Sequence, residues 1–167
     1  MIDLHVHLAG SLKPATIIEY AKERNVPLPT YNASELESYL EAPDHCPDIA
    51  EFYELCDMTD WVLQERRAIR RAMTEMVKEL DAQGVMYAEI RFSPSECTLG
   101  GLRQGDAVSA ALEGLVRGMQ ESRRIRAQSG ALHYTENERT RSFEPLWKRK
   151  ASAQRGLRSG PLLEESL

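Results

Sequence analysis

The sequence predicts an α/β fold built on a parallel sheet, and three observations lead to this class. A strand pattern opens the chain, helical patterns follow it, and a second strand pattern leads into another amphipathic helix. This order is typical of parallel strands joined by right-handed helical crossovers. Both strand patterns end in polar side chains, and α/β folds place their functional sites at the carboxyl ends of strands.

The first strand pattern lies in MIDLHVHLAGSL, residues 1–12. Alternate residues of a strand share a face, so His5 and His7 are expected to project together, with Asp3 behind them on the same face. Two neutral imidazoles at the end of a buried strand are half of a transition-metal site. The opposite, apolar face is predicted to consist of Ile2, Leu4, Val6 and Leu8.

Helical signals fill the stretch up to residue 84. Pro14 is placed to begin a helix, and the two prolines of VPLP, residues 26–29, end it. Ser34 and Glu37 resemble a capping box for a short helix. A long helical region starts near Ile49 and is expected to break near residues 57–60, and Gly84 stands where its C-cap belongs. The second part of that region has an apolar stripe of Ile69, Met73, Met76, Val77 and Leu80.

The second strand pattern is VMYAEIRF, residues 85–92, which Ser93-Pro94 ends. One face is expected to consist of Met86, Ala88, Ile90 and Phe92, and the other of Val85, Tyr87, Glu89 and Arg91. An amphipathic helix follows over residues 106–122. Its core side is predicted to consist of Val108, Leu112, Leu115, Val116 and Met119.

Composition restricts the setting and the partners. The chain is 42% hydrophobic and 28% charged, as in globular proteins, and its net charge of −5 gives no sign of a nucleic-acid partner. Three cysteines without metal or disulfide spacing predict a reducing compartment. No signal-peptide pattern and no run of 18 apolar residues occur, so we expect a cytoplasmic protein without a membrane partner.

The character of the sequence changes after Ser122. Residues 1–122 have a net charge of −10, whereas residues 123–167 have a net charge of +5, a single isoleucine and no valine. The second segment lacks sustained periodicity, which predicts a disordered basic tail. We therefore expect two parts, a folded part at 1–122 and an irregular tail at 123–167 that is not native sequence, as a frameshift near Ser122 would produce.

The motifs place the first part near a known family. HxHLxGSL at the start, together with YAEIRFSP at residues 87–94, resembles the N-terminal portion of the adenosine deaminase family of metal-dependent amidohydrolases. DIAEFYELCDMTDWVLQ, residues 48–64, is similar to the helical insertion that covers the purine pocket there. The resemblance implies a partial (β/α)8 TIM barrel, with the first two strands and a helical insertion.

The resemblance also implies a reaction and a set of residues. The family uses one zinc ion per complete site to deaminate adenosine or deoxyadenosine hydrolytically to inosine or deoxyinosine. His5 and His7 would be zinc ligands, and His7 would also contact the substrate. Glu89 and Arg91 would be structural charges, and the family's ribose-binding Asp is Ala9 here. The apolar lid over the substrate would include Phe52, Tyr53 and Cys56.

The remaining family machinery has no counterpart in this sequence. The third zinc histidine, the His-Ala-Gly-Glu motif with its proton-transferring Glu, a later histidine and an Asp pair are absent, so no catalytic residue is identified. We expect a truncated fragment that is inactive alone, with a purine nucleoside and a complementing C-terminal half as partners. The alternatives are a fragment of a PHP-type metal phosphoesterase and a non-catalytic barrel fragment of a split protein.

Overall fold

The computed structural model describes residues 1–41 and 58–131. Within them, three strands form one sheet in the order β1-β2-β3, and both strand pairs are parallel. The strands are β1 Ile2–His7, β2 Tyr87–Phe92 and β3 Arg126–Ala131. The helices are α1 Pro14–Arg24, α2 Ala33–Leu40, α3 Arg66–Ala82 and α4 Gln104–Glu121. The predicted α/β class with parallel strands is confirmed.

The first two helices begin and end for local reasons. Pro14 occupies the first turn of α1, as predicted, and Asn25 ends that helix in the left-handed conformation with φ of 54°. The capping box predicted for α2 is wrong. Asn32 is the N-cap instead, because its side-chain oxygen accepts hydrogen bonds from the backbone N–H groups of Ser34 and Glu35.

The long helices α3 and α4 pack closely against each other. The predicted apolar stripe of α3 is buried throughout. On α4 the prediction is wrong for Leu112 and Val116, which are 46% and 48% exposed. Small residues face α3 instead, since a Cβ atom on Gly114 would lie 2.3 Å from the carbonyl oxygen of Arg70. The buried residues of α4 are Ala107, Ala110, Ala111, Gly114, Leu115 and Gly118.

Strand β1 contains a bulge that the alternating sequence does not predict. Asp3 pairs with Ala88, but the register then shifts and His7 pairs with Arg91. Paired residues share a face, and Ala88 and Arg91 lie on opposite faces of β2. Asp3 is therefore on the face opposite His7, and the prediction that it lies behind the histidines is wrong.

The apolar side of β1 is only partly covered. Leu8, just after the strand, is buried, whereas Ile2 and Leu4 are 63% and 55% exposed. The prediction that Ile2 belongs to this apolar face is wrong, because Ile2 pairs with Tyr87 and so lies on the face of His7. On β2, the predicted alternation holds from Tyr87 onward, with Ala88, Ile90 and Phe92 buried. Before Tyr87 the prediction is wrong, because the strand has not yet begun there and Val85 is buried while Met86 is 56% exposed.

The folded part of the chain continues past Ser122, where an irregular tail was expected. Residues 126–131 form β3, which pairs with β2 residue by residue, and Ile125 is fully buried. The backbone N–H groups of three consecutive residues, 123–125, donate hydrogen bonds to the Asp81 carboxylate. The boundary at Ser122 is therefore wrong for residues 123–131. Residues 132–167 lie outside the described part of the chain.

The length and hydropathy of the described helices can be compared with those of membrane-spanning helices. None of the helices within residues 1–41 and 58–131 combines the length and the apolar character that crossing a bilayer requires.

Candidate metal site

The two histidines of β1 meet at the carboxyl end of the strand. The Nε2 atoms of His5 and His7 are 2.9 Å apart, and the ring centroids are 4.9 Å apart. Both side chains are exposed. The two rings project together, as the i, i+2 spacing predicts, although His5 lies within the bulge and His7 after it.

The separation of the two nitrogens fits joint ligation of one ion. Two zinc–nitrogen bonds of about 2.0–2.1 Å at a tetrahedral angle place the nitrogens about 3.3 Å apart, and a small ring rotation supplies the difference. The same 2.9 Å also fits a hydrogen bond between the rings when one of them carries a proton on Nε2. Across residues 1–41 and 58–131, no group of three or more His, Cys, Asp or Glu residues is placed to hold an ion. The pair therefore offers two ligand positions.

Strand β2 brings charge to the same end of the sheet. Arg91 pairs with His7 across the two strands, and its guanidinium is 3.7 Å from the Glu89 carboxylate. Partial burial, then the neighbouring His5, then Arg91 each lower the pKa of His7. A lowered pKa keeps the ring neutral at lower pH, and the neutral ring is the form that binds metals.

Strand β3 adds residues to this end of the sheet that the sequence pattern did not indicate. A cavity of about 230 Å³ lies over the ends of β2 and β3, and its lining includes Glu89, Arg91 and Gln128. The sequence alternates here between the apolar Ile125 and Ala127 and the polar Arg126 and Gln128. This alternation is a weak signal for a strand, because alanine is small and contributes little apolar character. A more open recess on α2 includes none of these residues in its lining.

The other residues named from the sequence are not all brought to this site. Ala9 follows directly in a short 3₁₀ turn, Ala9–Ser11, and is half-buried. Phe52, Tyr53 and Cys56, named for the apolar lid, lie outside the described residues. Of the residues named from the sequence, the described part of the chain contains His5, His7, Ala9, Glu89 and Arg91.

The fold is part of a (β/α)8 barrel. Its parallel strands, helical crossovers and histidine pair at the end of the first strand define this class. An adenine deaminase from Arthrobacter aurescens has a similar fold, with a TM-score of 0.65 at 23% identity over 77% of this chain and 38% of that one. An amidohydrolase from Burkholderia ambifaria with bound zinc gives 0.67 at 18% identity, over 93% and 49% of the two chains.

Sequence comparison identifies the family. The model of the adenosine deaminase family matches residues 1–150, so the chain belongs to that family. An adenosine deaminase of Haemophilus ducreyi is 42% identical over 127 residues, which are 76% of this chain and 37% of that protein. The chain thus spans little more than a third of the length of this relative. The family match also decides against the PHP-type phosphoesterase.

Proposed function

We propose that this chain is the N-terminal, zinc-binding portion of an enzyme that hydrolytically deaminates adenosine or deoxyadenosine. The observation that carries the proposal is the His5–His7 pair, whose Nε2 atoms converge at the carboxyl end of β1 in a member of the adenosine deaminase family. Both the position on the barrel and the ligand chemistry support it.

The proposal assigns roles to the histidine pair, to the charged residues of β2 and to the lid. His5 and His7 hold the zinc ion, which when bound supplies Lewis-acid activation of water. His7 also contacts the purine nucleoside, while Glu89 and Arg91 keep the end of β2 in place beside it. Phe52, Tyr53 and Cys56, which lie outside the described residues, are assigned to the apolar lid over the substrate in this proposal.

Ala9 replaces the ribose-binding Asp of the adenosine deaminase family, so this chain is proposed to bind the ribose differently. A methyl group cannot accept a hydrogen bond, so the ribose receives no carboxylate contact from this position. In the reconstituted enzyme described below, Ala9→Asp is expected to lower the KM for adenosine and leave kcat little changed. An unchanged KM would contradict a role of this position in ribose binding.

The missing ligands and the proton-transferring group require a complementing C-terminal half. The described sheet has two outer strands, β1 and β3, and a complete barrel of about 250 residues closes both edges. Apolar residues of β1 and α4 are exposed in the described part of the chain. The occupant that we propose is the remaining part of an adenosine deaminase barrel.

The test mixes the purified chain with Zn²⁺ and adenosine and follows the loss of ultraviolet absorbance as adenosine is converted. We expect zinc binding without turnover for the chain alone, and turnover after co-expression with the C-terminal portion of the Haemophilus ducreyi relative. Turnover by the chain alone would refute its incompleteness. Zinc binding without turnover in both cases would favour the non-catalytic fragment of a split protein.

A cytoplasmic location is part of the proposal. It rests on the odd number of cysteines, three, and on the absence of a CxxC spacing among them. Fractionation of the producing cells tests it, and recovery in a secreted fraction would contradict it.

A further inference from the structure

Two side chains bind the backbone of the two histidines from opposite ends of the pair. Before the pair, the Asp3 carboxylate accepts a hydrogen bond of 3.1 Å from the backbone N–H of His5. After it, the Ser11 hydroxyl donates a hydrogen bond of 2.9 Å to the backbone carbonyl of His7. Neither contact follows from the alternating pattern of the strand.

The bulge explains why these contacts matter. A bulge leaves a residue out of the hydrogen-bond ladder, and the register of β1 shifts between Asp3 and Val6, where His5 lies. In the described part of the chain β1 is also an outer strand, with β2 as its one neighbour. The backbone of the histidine pair therefore lacks a strand on its outer side, and Asp3 and Ser11 fill two of its hydrogen-bonding positions.

Small backbone movements change the geometry of a metal site. Each Nε2 atom lies at the far end of its ring, so a rotation of the backbone displaces it by more than it displaces the Cα atom. A metal site tolerates deviations of about 0.2 Å from the usual metal–ligand distance. A segment that is fixed at both ends keeps two such atoms within reach of one ion without reorganisation.

We propose that Asp3 and Ser11 are positioning residues that fix the His5–His7 segment and so place both Nε2 atoms for one zinc ion. The inference rests on the zinc site of the proposed function and adds to it two residues that do not touch the metal. Asp3 acts through its oxygen as an acceptor, not as a ligand, because the bulge turns it to the face opposite His7.

A purely structural role makes a different prediction. Both hydrogen bonds are exposed, so water can replace them, and their loss would then change thermal stability without changing zinc affinity. A positioning role predicts a loss of zinc affinity of roughly tenfold, as for other residues that orient metal ligands. The two roles are therefore separated by measuring affinity and stability on the same variants.

The experiment uses the full chain and the variants Asp3→Ala, Asp3→Asn and Ser11→Ala. Ser109→Ala is the matched control, because the Ser109 hydroxyl also donates to the carbonyl four residues earlier, Gly105, at 2.8 Å on an exposed surface of α4. Zinc affinity is measured by competition with a chromophoric chelator, and folding by circular dichroism and thermal unfolding. Amide hydrogen exchange of His5 in metal-free protein gives a second readout.

We expect Asp3→Ala and Ser11→Ala each to weaken zinc binding roughly tenfold, with little effect of Ser109→Ala. Asp3→Asn keeps a side-chain acceptor and is expected to retain most of the affinity and the protection of the His5 amide, which Asp3→Ala loses. If Asp3→Asn is as weak as Asp3→Ala, the carboxylate charge is what matters and the inference is overturned.

A separate control distinguishes failure of the inference from failure of the zinc site. If His5→Ala abolishes zinc binding but Asp3→Ala and Ser11→Ala bind as the wild type does, the inference alone is overturned. If the wild-type chain does not bind zinc, the proposed site fails and the positioning role fails with it. Should Asp3→Ala not fold, Asp3→Asn and Ser11→Ala still decide the question.

Discussion

At the scale of single residues, His7 is the side chain whose ionisation the structure perturbs at the site. Its pKa is lowered by partial burial of the ring, by His5 and by Arg91. Removing a nearby positive charge stabilises the charged imidazolium form of the ring. Replacement of Arg91 by glutamine is therefore expected to raise the pKa of His7 towards its ordinary value, by less than full exposure would because burial is the largest cause.

The measurement is a proton NMR titration of the His7 ring in metal-free protein with a chelator present. Arg117→Gln is a suitable control, since Arg117 lies on α4 and pairs with Glu121 there. A His7 titration that shifts equally in both variants would show that the effect is not specific to Arg91.

At the scale of elements, the contact between α3 and α4 depends on two glycines. Gly114→Ala places a methyl group against the Arg70 carbonyl, and Gly118→Ala places one 2.6 Å from the Cβ atom of Val77. Overpacking of this kind costs about 1–3 kcal/mol, and the better helix propensity of alanine offsets at most about 1 kcal/mol. Both variants should therefore have a lower free energy of unfolding in urea.

Gly105→Ala provides the comparison on the same helix, because no atom lies within 4 Å of its added Cβ. We expect it to leave the free energy of unfolding unchanged or raise it slightly. Equal destabilisation by Gly105→Ala and Gly114→Ala would show that the close approach of the helices is not the cause.

The link between α3 and β3 makes stability depend on pH. The backbone N–H groups of Arg123 and Arg124 are the main causes of the lowered pKa of Asp81. Because the folded state binds the charged carboxylate, this contribution is present above the ordinary pKa of about 4 and is lost as the pH falls through the lower folded value. Asp81→Asn cannot titrate, so its deficit in unfolding free energy should be largest near neutral pH and should shrink in acid.

Urea unfolding at several pH values tests this, with Asp106→Asn for comparison. The pKa of Asp106 is lowered chiefly by its hydrogen bond with the Arg103 side chain, an ion pair that added salt screens. The effect of Asp81→Asn should persist in salt because its partners are backbone amides. A deficit that does not change with pH would contradict the role of the Asp81 charge.

At the scale of the whole molecule, the described part is a portion of a barrel with exposed apolar residues on β1 and on α4. Ile2 and Leu4 are exposed on β1, and Leu112 and Val116 are exposed one helical turn apart on α4. Exposed patches of this kind promote association. Leu112→Glu is expected to reduce self-association in sedimentation velocity and to change the free energy of unfolding by no more than about 0.5 kcal/mol.

Leu115→Glu on the same helix is the matched control, since Leu115 is only 5% exposed. A buried, unpaired carboxylate should strongly destabilise or unfold the chain. If Leu112→Glu destabilises the chain as much as Leu115→Glu does, the outer surface of α4 is not open in solution.

Local patterns predicted much of this molecule because they depend on neighbouring residues. Alternation located β1 and β2, three- and four-residue spacing identified the buried stripe of α3, and i, i+2 spacing brought His5 and His7 together. The weak pattern of β3 was missed, since residues 126–131 are small or polar and are ordered by pairing with β2 and by Asp81. Its signal is not local.

The sequence by itself determined the α/β class, the family motifs and the histidine pair, because periodicity and short motifs are properties of adjacent residues. Only the tertiary structure decided which apolar side of α4 is covered, since the glycine contact with α3 turns Leu112 outward. It also decided the face of Asp3 and the contact of Ser11, because the bulge in β1 arises from its register against β2, which is distant in sequence.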